Sequence, residues 1–376
     1  MLRRSVGAAA FAFFLSRAVI WGAILIAPLV IPENFDPKHP EATVHTSTPW
    51  LADAMVRWDG VHYLTVARYG YLDTSNPLIF TPRFWPLYPW LMRLVGGWAG
   101  EEGLVYAGLL LTNLAFFVSL ALLYRMVEED LGPEQGLRTV FYMPIFPGAF
   151  FFSALYAEAL LLLMSVVFLY MLRRQRWLLA GLFGGLAALT RGVGVLVIAP
   201  FLWECVRIYG FSLRRIWRPL LASGLIPAGS LLFLGVLLLS VGNPLAFIPA
   251  FQWWRPADPI EAAVAAYVSP ESGVTLGGAW IGGLSSLLFL SAGVWLWRHR
   301  FHAYAVFTLV TLLFYLSLTL PTGTGTMIRY LAPIFPVYIA FGAWGANRWF
   351  HYAYSIVSIA FLVLAAMLYA QWYWVG

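Results

Sequence analysis

An arginine, an aspartate and a histidine lie close together in the stretch RWDGVHY at 57–63. Asp59, His62 and Tyr63 follow the i, i+3, i+4 spacing that puts side chains on one face of a helix. A carboxylate among aromatic neighbours is costly to bury unless it has a use, and a positioned carboxylate can remove the proton from an attacking hydroxyl. We therefore predict Asp59 as a catalytic base. The substrate contacts predicted beside it are Arg57, Trp58, His62 and Tyr63.

Three further arginines are candidates to hold an anionic group. Arg329 begins the apolar run RYLAPIFPVYIAFGAW, Arg191 lies in TRGVG, and Arg255 follows Trp254 in FQWWRP. Guanidinium groups bind phosphate through charge-assisted hydrogen bonds, and Trp254 offers an aromatic face for a sugar. We predict Arg329 as the first phosphate ligand, followed by Arg191 and Arg255. The alternative for each is an arginine that only extends to the membrane surface.

Two more acidic residues have competing interpretations. Glu158, which follows Tyr156 at a turn, is predicted to line the substrate pocket, but an interfacial carboxylate that contacts only water is equally consistent with the sequence. Asp53 lies four residues before Arg57, a spacing that favours a surface ion pair worth about 0.3–0.5 kcal/mol. Asp53 is therefore interpreted as structural.

The composition indicates a membrane protein built from helices. Of 376 residues, 61% are hydrophobic and 11% are charged, whereas a soluble domain has roughly 25% charged residues. Apolar runs recur along the chain, and we predict an all-α polytopic membrane protein with a bundle of about eleven transmembrane helices. The first predicted span lies within 1–32, and the others lie near 103–124, 139–155, 157–172, 177–190, 191–206, 219–241, 276–297, 301–320, 330–346 and 351–374.

The distribution of arginine predicts the orientation of these spans. Clusters such as RRQR at 173–176 and RHR at 298–300 fall on one side, which is cytoplasmic by the positive-inside rule. The N-terminus is then cytoplasmic, and the loops at 32–84 and 242–275 are extracytoplasmic. The same pattern favours two spans rather than one over 177–203. We expect a single domain over 1–376 in a multi-pass protein of a bacterial plasma membrane.

The first outer loop is predicted to contain an amphipathic helix at the membrane surface. Thr48 is the expected N-cap and Gly70 the expected end, while Trp58 and Tyr69 suit the headgroup level. Arg17 lies about two turns into the first span, where an isolated charge is costly. It is therefore expected to pair with a lipid or with another helix.

The sequence offers no motif for a nucleotide and none for a dedicated metal site. It lacks an Asp-x-Asp pair, the usual carboxylate cradle for the metal of a nucleotide sugar, and a Gly-x-x-x-x-Gly-Lys loop, and its histidines lack metal-ligand spacing. We predict no nucleotide-sugar donor, no certain cofactor and no nucleic-acid partner. A divalent cation that helps to hold a phosphate stays an open alternative.

The motif RWDGVHYLTVARYGY resembles the signature that follows the first span in the PIG-V family, which supplies the second mannose in GPI-anchor assembly. Further similar blocks follow over nearly the whole chain, and their order is the same as in the family. The later similar blocks are FWPLYPWLMRLV at 84–95, SALYAEALLLLMS at 153–165, LAALTRGVGVL at 186–196, FQWWRP at 251–256 and MIRYLAPIFPVY at 327–338.

The resemblance implies a glycosyltransferase of the GT-C class, whose members use polyprenyl-phosphate sugars, invert the anomeric centre and work on the outer or lumenal face. It implies Asp59 as the general base, with His62 beside it. The expected partners are a polyprenyl-phosphate sugar donor, with mannose as the expected sugar, membrane lipids, and an acceptor hydroxyl on a lipid, glycan or protein. A transporter or flippase of a lipid-linked sugar is the alternative, because it would also need several spans and charged groups.

Overall fold

The computed structural model describes residues 2–34, 45–71, 81–248, 273–319 and 327–375. Trp254 and Arg255, with most of the predicted second outer loop, lie outside the described residues. Within the described ranges the regular secondary structure is helical and contains no β-strand.

The N-terminal part combines one long first helix, a short surface segment and a group of packed helices. The helix α7 packs against both α5 and α8. The helices of this part are α1 (Leu2–Val30), α2 (Trp50–Asp53), α3 (Asp59–Tyr69), α4 (Leu87–Gly96), α5 (Gly100–Leu131), α6 (Pro133–Tyr142), α7 (Glu158–Arg173) and α8 (Trp177–Thr190).

The C-terminal part adds helices that pack around the same bundle. The helix α11 packs against α8, and the last helix, α16, returns to α1. The helices of this part are α9 (Ile198–Tyr209), α10 (Leu213–Ser223), α11 (Leu225–Val241), α12 (Gly273–Arg298), α13 (His302–Thr319), α14 (Met327–Leu331), α15 (Val337–Trp344) and α16 (Arg348–Ala370).

The predicted helical membrane fold is confirmed, but the count of eleven spans is not. Within the described residues, seven helical stretches are long and apolar enough to cross a bilayer. The predicted span at 139–155 is interrupted, because α6 ends at Tyr142 and a buried 3₁₀ turn follows at Pro147–Phe152. The span at 330–346 is interrupted between α14 and α15. Pro333, which lacks an amide hydrogen, follows the end of α14, and Pro336 is the N-cap residue of α15.

The loop at 32–84, which was predicted to be extracytoplasmic, also differs from its prediction, because the expected single helix is replaced by two helices. α2 ends at Asp53 and α3 begins at Asp59. Thr48 does not cap α2, and its hydroxyl instead lies 2.7 Å from that of Thr46. The predicted end at Gly70 is correct, since this residue has a φ of 80°, which glycine adopts without steric cost.

The chain reverses at Arg191. α8 ends at Thr190, Arg191 is extended with a φ of −155°, and a 3₁₀ turn at Gly192–Val197 leads into α9. The sequence over 177–203 therefore forms two helical segments. The arginine pattern favoured two spans, but only the second segment lies in a candidate span, Gly192–Tyr209, while α8 is a shorter apolar helix. This break places Arg191 at the same end of the bundle as the first residue of α7, Glu158, because α7 and α8 form a helical hairpin.

Arg17 is buried in α1 and joins α1 to two other parts of the bundle. Its Nη1 donates hydrogen bonds to Asn113 Oδ1 at 2.8 Å and to the Phe152 carbonyl oxygen at 2.9 Å. The guanidinium also lies over the rings of Phe13 and Phe116. The expectation that Arg17 pairs with another helix is thus confirmed.

Candidate active site

The chain enters α3 through a strained residue, Trp58. Its φ of 54° and ψ of −118° are unusual for a bulky side chain, and such a conformation costs on the order of 1–3 kcal/mol. The Trp58 Nε1 donates to the Tyr373 carbonyl oxygen at 3.3 Å, and the indole makes edge contacts with Trp372 and Trp374. The turn makes Asp59 the first residue of α3, where the positive end of the helix dipole favours a carboxylate.

The segment at 54–58 is joined to the chain that leads into α7. The amide of Leu155 donates to the Met55 carbonyl oxygen at 3.0 Å, and the Tyr156 hydroxyl donates to the Arg57 carbonyl oxygen at 3.0 Å. These two hydrogen bonds fix the start of α3 beside the start of α7. The carboxylates at the two helix starts are thereby brought into one site.

Arg57 and Asp53 form an ion pair that is buried, not exposed as the sequence suggested. Arg57 Nη1 donates to Asp53 Oδ2 at 2.9 Å, and only 1% and 4% of the two side chains is exposed. Arg57 Nε donates to the Ala370 carbonyl oxygen, and the guanidinium lies 4.6 Å from the centroid of a Trp372 ring. The structural interpretation of Asp53 is confirmed, and Arg57 points to this pair, not to the candidate substrate cavity.

Loss of this pair should destabilise the protein. In Arg57→Gln the Asp53 carboxylate would stay buried without its cation, and breaking a buried pair costs about 3–5 kcal/mol. Thermal unfolding in detergent, followed by circular dichroism, measures the loss. Arg68→Gln is the matched control, because it breaks the more exposed pair between Arg68 and Glu101 and should cost at most about 1 kcal/mol. Equal effects of the two substitutions would contradict the assignment.

Four charged side chains form a continuous chain of ion pairs at the starts of α3 and α7. Arg329 Nη1 donates to Asp59 Oδ2 at 2.6 Å, and Arg329 Nε donates to Glu158 Oε1 at 2.5 Å. Arg191 Nη1 donates to the same Glu158 oxygen. The order is therefore Asp59, Arg329, Glu158, Arg191.

The two ends of this ionic chain are more accessible than its middle. Only 1% of the Glu158 side chain and 2% of the Arg329 side chain is exposed, against 17% for Arg191 and 25% for Asp59. Buried charges need partners, and here each buried group has an opposite charge on both sides. Asp59 and Arg191 are thus the groups that a bound molecule meets first.

Arg329 is held in place by aromatic rings and by a close backbone contact. Its guanidinium lies 4.6 Å from the ring centroid of Tyr156 and 5.8 Å from that of Tyr330, an arrangement that stabilises a cation. A Cβ at Gly148 would lie 2.1 Å from the Ile328 carbonyl oxygen. Only glycine therefore lets α14 approach the 3₁₀ turn at Pro147–Phe152 closely enough to place Arg329 in the site.

A cavity of about 330 Å³ opens beside the ionic chain. Asp59, Arg191 and Arg329 line it, together with Arg83. Another part of its wall is apolar and aromatic, a combination typical of ligand sites with a few polar groups among apolar ones. The residues of that part are Trp85, Phe247, Phe314, Tyr315 and Leu318. The cavity is thus suited to a molecule with an anionic group and an apolar portion.

The charges around Asp59 determine its ionisation. Burial by itself would raise the Asp59 pKa, but the positive charges of Arg329 and Arg83, with a smaller contribution from His62, outweigh burial and lower the pKa to about 2. The pKa of His62 is lowered, chiefly by burial, below its usual value of 6.5. Asp59 is therefore a carboxylate and His62 is neutral at neutral pH. Both residues belong to α3, which is not among the candidate spans.

The low pKa of Asp59 predicts a pH profile. Protonation would occur only far below the working range, so we expect kcat/KM of His62→Phe to keep its neutral-pH value down to about pH 5. The phenylalanine retains the stacking on Phe84, seen at 4.9 Å for His62, and removes the imidazole beside Asp59. Initial rates of transfer over a pH series measure the profile. A decline of His62→Phe between pH 7 and pH 5, with no loss of folded protein, would contradict the low Asp59 pKa.

The structure brings together some of the predicted residues and not others. Asp59, Tyr63, Arg191 and Arg329 line the cavity, with Glu158 directly behind the two arginines. His62 stacks on Phe84 at the side of the cavity wall. The residues placed elsewhere are Arg57 and Trp58.

The sequence reasoning missed Arg83, Tyr315 and Tyr330 in the cavity wall. Arg83 directly precedes the FWPLYPW block in the loop predicted at 32–84, a position that could have identified it. Tyr315 lies inside an apolar helix and carries no such signal. Its ring stacks at 4.6 Å on that of Tyr330, a contact that only the fold provides.

The ionic chain does not resemble a metal site. In the part of the chain that the structure describes, no group of three or more histidine, cysteine, aspartate or glutamate residues is placed to hold a metal ion. Asp59 and Glu158 are instead separated by Arg329, which binds both of them. An anion is therefore the ligand that this arrangement favours.

Comparison with protein families gives a match over most of the chain. Residues 22–251 match the model of the family described as mannosyltransferase (PIG-V). The mouse protein named GPI alpha-1,6-mannosyltransferase 2 is 30% identical over an alignment of 210 residues that covers 51% of this chain and 41% of the relative. GPI mannosyltransferase 2 of Yarrowia lipolytica is 26% identical over 185 residues, 48% of each chain. The match thus spans less than half the length of these curated relatives.

The fold is similar to that of a protein whose structure has been solved. The crystal structure of ArnT from Cupriavidus metallidurans bound to undecaprenyl phosphate superposes with a TM-score of 0.51. The sequence identity is 13%, and the alignment covers 97% of this chain and 76% of ArnT. At this identity the likeness concerns the fold alone, and it agrees with the predicted GT-C-like helical bundle.

Proposed function

This chain belongs to the mannosyltransferase (PIG-V) family, and on that premise we propose that it is an inverting membrane glycosyltransferase. Its proposed reaction moves a hexose, with mannose as the expected sugar, from a polyprenyl-phosphate carrier to a hydroxyl of a lipid, glycan or protein. The whole of 1–376 is proposed to act as one transferase domain, with its active site on the extracytoplasmic face. The observation that carries the proposal is the ionic chain from Asp59 to Arg191 in the wall of a partly apolar cavity.

In the proposed reaction the acceptor oxygen forms a bond to the anomeric carbon while the bond from that carbon to the phosphate oxygen breaks. The electron pair of the broken bond stays on the phosphate. The proton of the acceptor hydroxyl goes to Asp59, whose Oδ2 is held by Arg329. Because the transition state of glycosyl transfer resembles an oxocarbenium ion, the hydroxyl becomes acidic as its bond forms, and a weak carboxylate base is sufficient.

Arg191 is the proposed main ligand of the donor phosphate. It lines the cavity with more exposed surface than Arg329, and Arg83 lines the same cavity. Arg329 is occupied on both sides by carboxylates, so its proposed role is to orient Asp59 and Glu158. Tyr63 is a further proposed substrate contact. For Trp254 and Arg255, a substrate-binding role stays a prediction.

The charge of the site favours a donor with a single phosphate. In the ionic chain two arginines balance two carboxylates, so the chain has no excess positive charge to neutralise a second phosphate. A phosphodiester-linked sugar carries about one negative charge and a diphosphate-linked sugar roughly two, so electrostatic complementarity favours the former. The apolar wall around Phe314 and Leu318 would suit the first part of a prenyl chain. ArnT, which shares the fold, was crystallised with a lipid of this class.

Transfer from a defined donor tests the proposal. Membranes containing the protein are given radiolabelled polyprenyl-phosphate mannose, and in a parallel arm the corresponding diphosphate-linked sugar, and the label is followed into lipid, glycan and protein fractions. We expect transfer from the monophosphate at a rate at least about tenfold above that from the diphosphate, since one uncompensated charge costs on the order of 1.4 kcal/mol or more. Movement of the carrier to the other leaflet without any transfer would instead support a transporter.

A further inference from the structure

A second cavity, of about 550 Å³, lies between the start of α8 and the helix α10. It is separate from the candidate active site, because α8 runs about 21 Å, at 1.5 Å per residue, from Trp177 at this cavity to Thr190 beside Arg191. The two cavities therefore occupy opposite ends of the bundle. We name the second one the α8–α10 groove; its lining includes Arg176, Trp177, Leu179, Arg218, Leu221 and Leu225.

The polar end of the α8–α10 groove has an excess of positive charge. Arg176 and Arg218 line it, both are exposed, and no carboxylate lies among its lining residues. Neither guanidinium forms an ion pair within the described residues; Arg218 lies over the ring of Trp217 at 5.2 Å. The acidic residues near the other arginines of this end are already engaged, as in the pairs of Arg173 with Glu129 and Asp130.

The start of α8 adds to this positive potential. Arg176 is the N-cap residue of α8, and its side chain makes no capping hydrogen bond to the first turn of the helix. The amides of that first turn belong to residues that line the groove, Trp177, Leu178 and Leu179. An uncapped helix start with a neighbouring arginine binds anions, because its amides and the helix dipole both favour negative charge.

The remaining wall of the groove is apolar and faces outward from the bundle. Leu178 and Leu221 are 67% and 70% exposed, and α10 continues almost directly into the apolar α11, within a single candidate span from Arg214 to Val241. Leucines that are exposed next to such a span lie against lipid chains. The groove thus combines an anion-binding end with a surface for hydrocarbon.

We propose that the α8–α10 groove binds one anionic phospholipid from the leaflet farthest from Asp59. Its phosphodiester would be held by Arg176, Arg218 and the uncapped start of α8, and its acyl chains would lie on the leucines. Basic pockets between membrane helices recognise anionic lipid headgroups in this way, and an amphipathic helix with several arginines strengthens the attraction. In α10 these are Arg214, Arg215 and Arg218, which are all exposed.

Native mass spectrometry of the full-length protein tests the site. The protein is purified from nanodiscs that contain equal amounts of phosphatidylglycerol and phosphatidylcholine with the same acyl chains. We expect wild type to retain phosphatidylglycerol in preference to phosphatidylcholine. In the double variant R176Q/R218Q the retained phosphatidylglycerol should fall by about tenfold or more, since two charge-assisted contacts are lost.

The matched control is R298Q/R348Q, which removes two arginines from the same end of the bundle but outside the groove. Equal loss of phosphatidylglycerol in both double variants, or no preference in wild type, would overturn the proposal. Displacement of the lipid by millimolar glycerol 3-phosphate would also overturn it, because the site would then bind a soluble phosphate. R218K keeps the charge and should retain the lipid, and the single variants R176Q and R218Q carry the test if the double variant does not fold.

Discussion

Asp59→Asn should lose nearly all transfer activity while it still binds the donor. Asparagine keeps the shape of the side chain but cannot accept the proton of the acceptor hydroxyl, and loss of a positioned general base lowers kcat by about 10²–10⁴-fold. The substitution also removes one negative charge from the cavity wall, next to Arg329. The KM for the anionic donor should therefore stay the same or fall, which separates loss of chemistry from loss of binding.

Initial rates with labelled polyprenyl-phosphate mannose, at several donor concentrations, give kcat and KM separately. Asp130→Asn is the control, because it makes the same isosteric change to a carboxylate that is paired with Arg173 at the other end of the bundle. We expect the control to transfer sugar at the wild-type rate. If Asp59→Asn also did so while folded in the membrane, Asp59 would have no part in the proton transfer.

The part of the site that we propose to be catalytic was predictable from spacing within one helix. Asp59, His62 and Tyr63 do lie together on α3, because a helix places residues three and four apart on one face. The start of that helix was not predictable. The strained turn at Trp58 depends on contacts with Tyr373 and Trp374, which lie at the far end of the sequence.

The electrostatic part of the site was predictable only as a set of candidates. The sequence identified Glu158, Arg191 and Arg329 as charged residues beside apolar runs, where charges are rare without a use. It gave no means of knowing that Glu158 accepts hydrogen bonds from both arginines, since this contact joins three distant elements. The exposed fraction of each arginine depends on the same packing. Because Arg191 is more exposed than Arg329, we propose Arg191 as the main phosphate ligand, whereas the sequence had ranked Arg329 first.

The division of the chain into spans failed where proline and buried irregular segments interrupt apolar sequence. Hydropathy measures the average polarity of a window, and the stretch at 139–155 is apolar enough to suggest one span. The structure instead buries Pro147–Phe152 as a 3₁₀ turn, whose Gly148 allows the close approach of α14. Such a turn is tolerated at membrane depth only inside protein, and here it supports Arg329.

Arg191→Gln should weaken binding of the donor more than it slows the chemical step. If Arg191 holds the phosphate of the bound donor, its loss removes a charge-assisted contact that is already present before the chemical step, and we expect kcat/KM to fall by about 10²–10³-fold. Much of this fall should appear as a higher KM for the donor. Inhibition by added undecaprenyl phosphate, a phosphomonoester of the kind that the proposed transfer releases, should weaken in parallel.

Arg191→Lys separates the charge from the geometry of the guanidinium. Lysine keeps the positive charge but not the planar fork that binds two oxygens, so we expect it to recover part of the lost kcat/KM. Arg68→Gln is the matched control, because Arg68 pairs with Glu101 outside the cavity, and its donor KM should not change. An unchanged donor KM in Arg191→Gln, together with a raised KM in Arg329→Lys, would place the phosphate on Arg329, as the sequence had predicted. Donor binding would then have to break the contact between Arg329 and Asp59, and the base would gain proton affinity only when the donor is present.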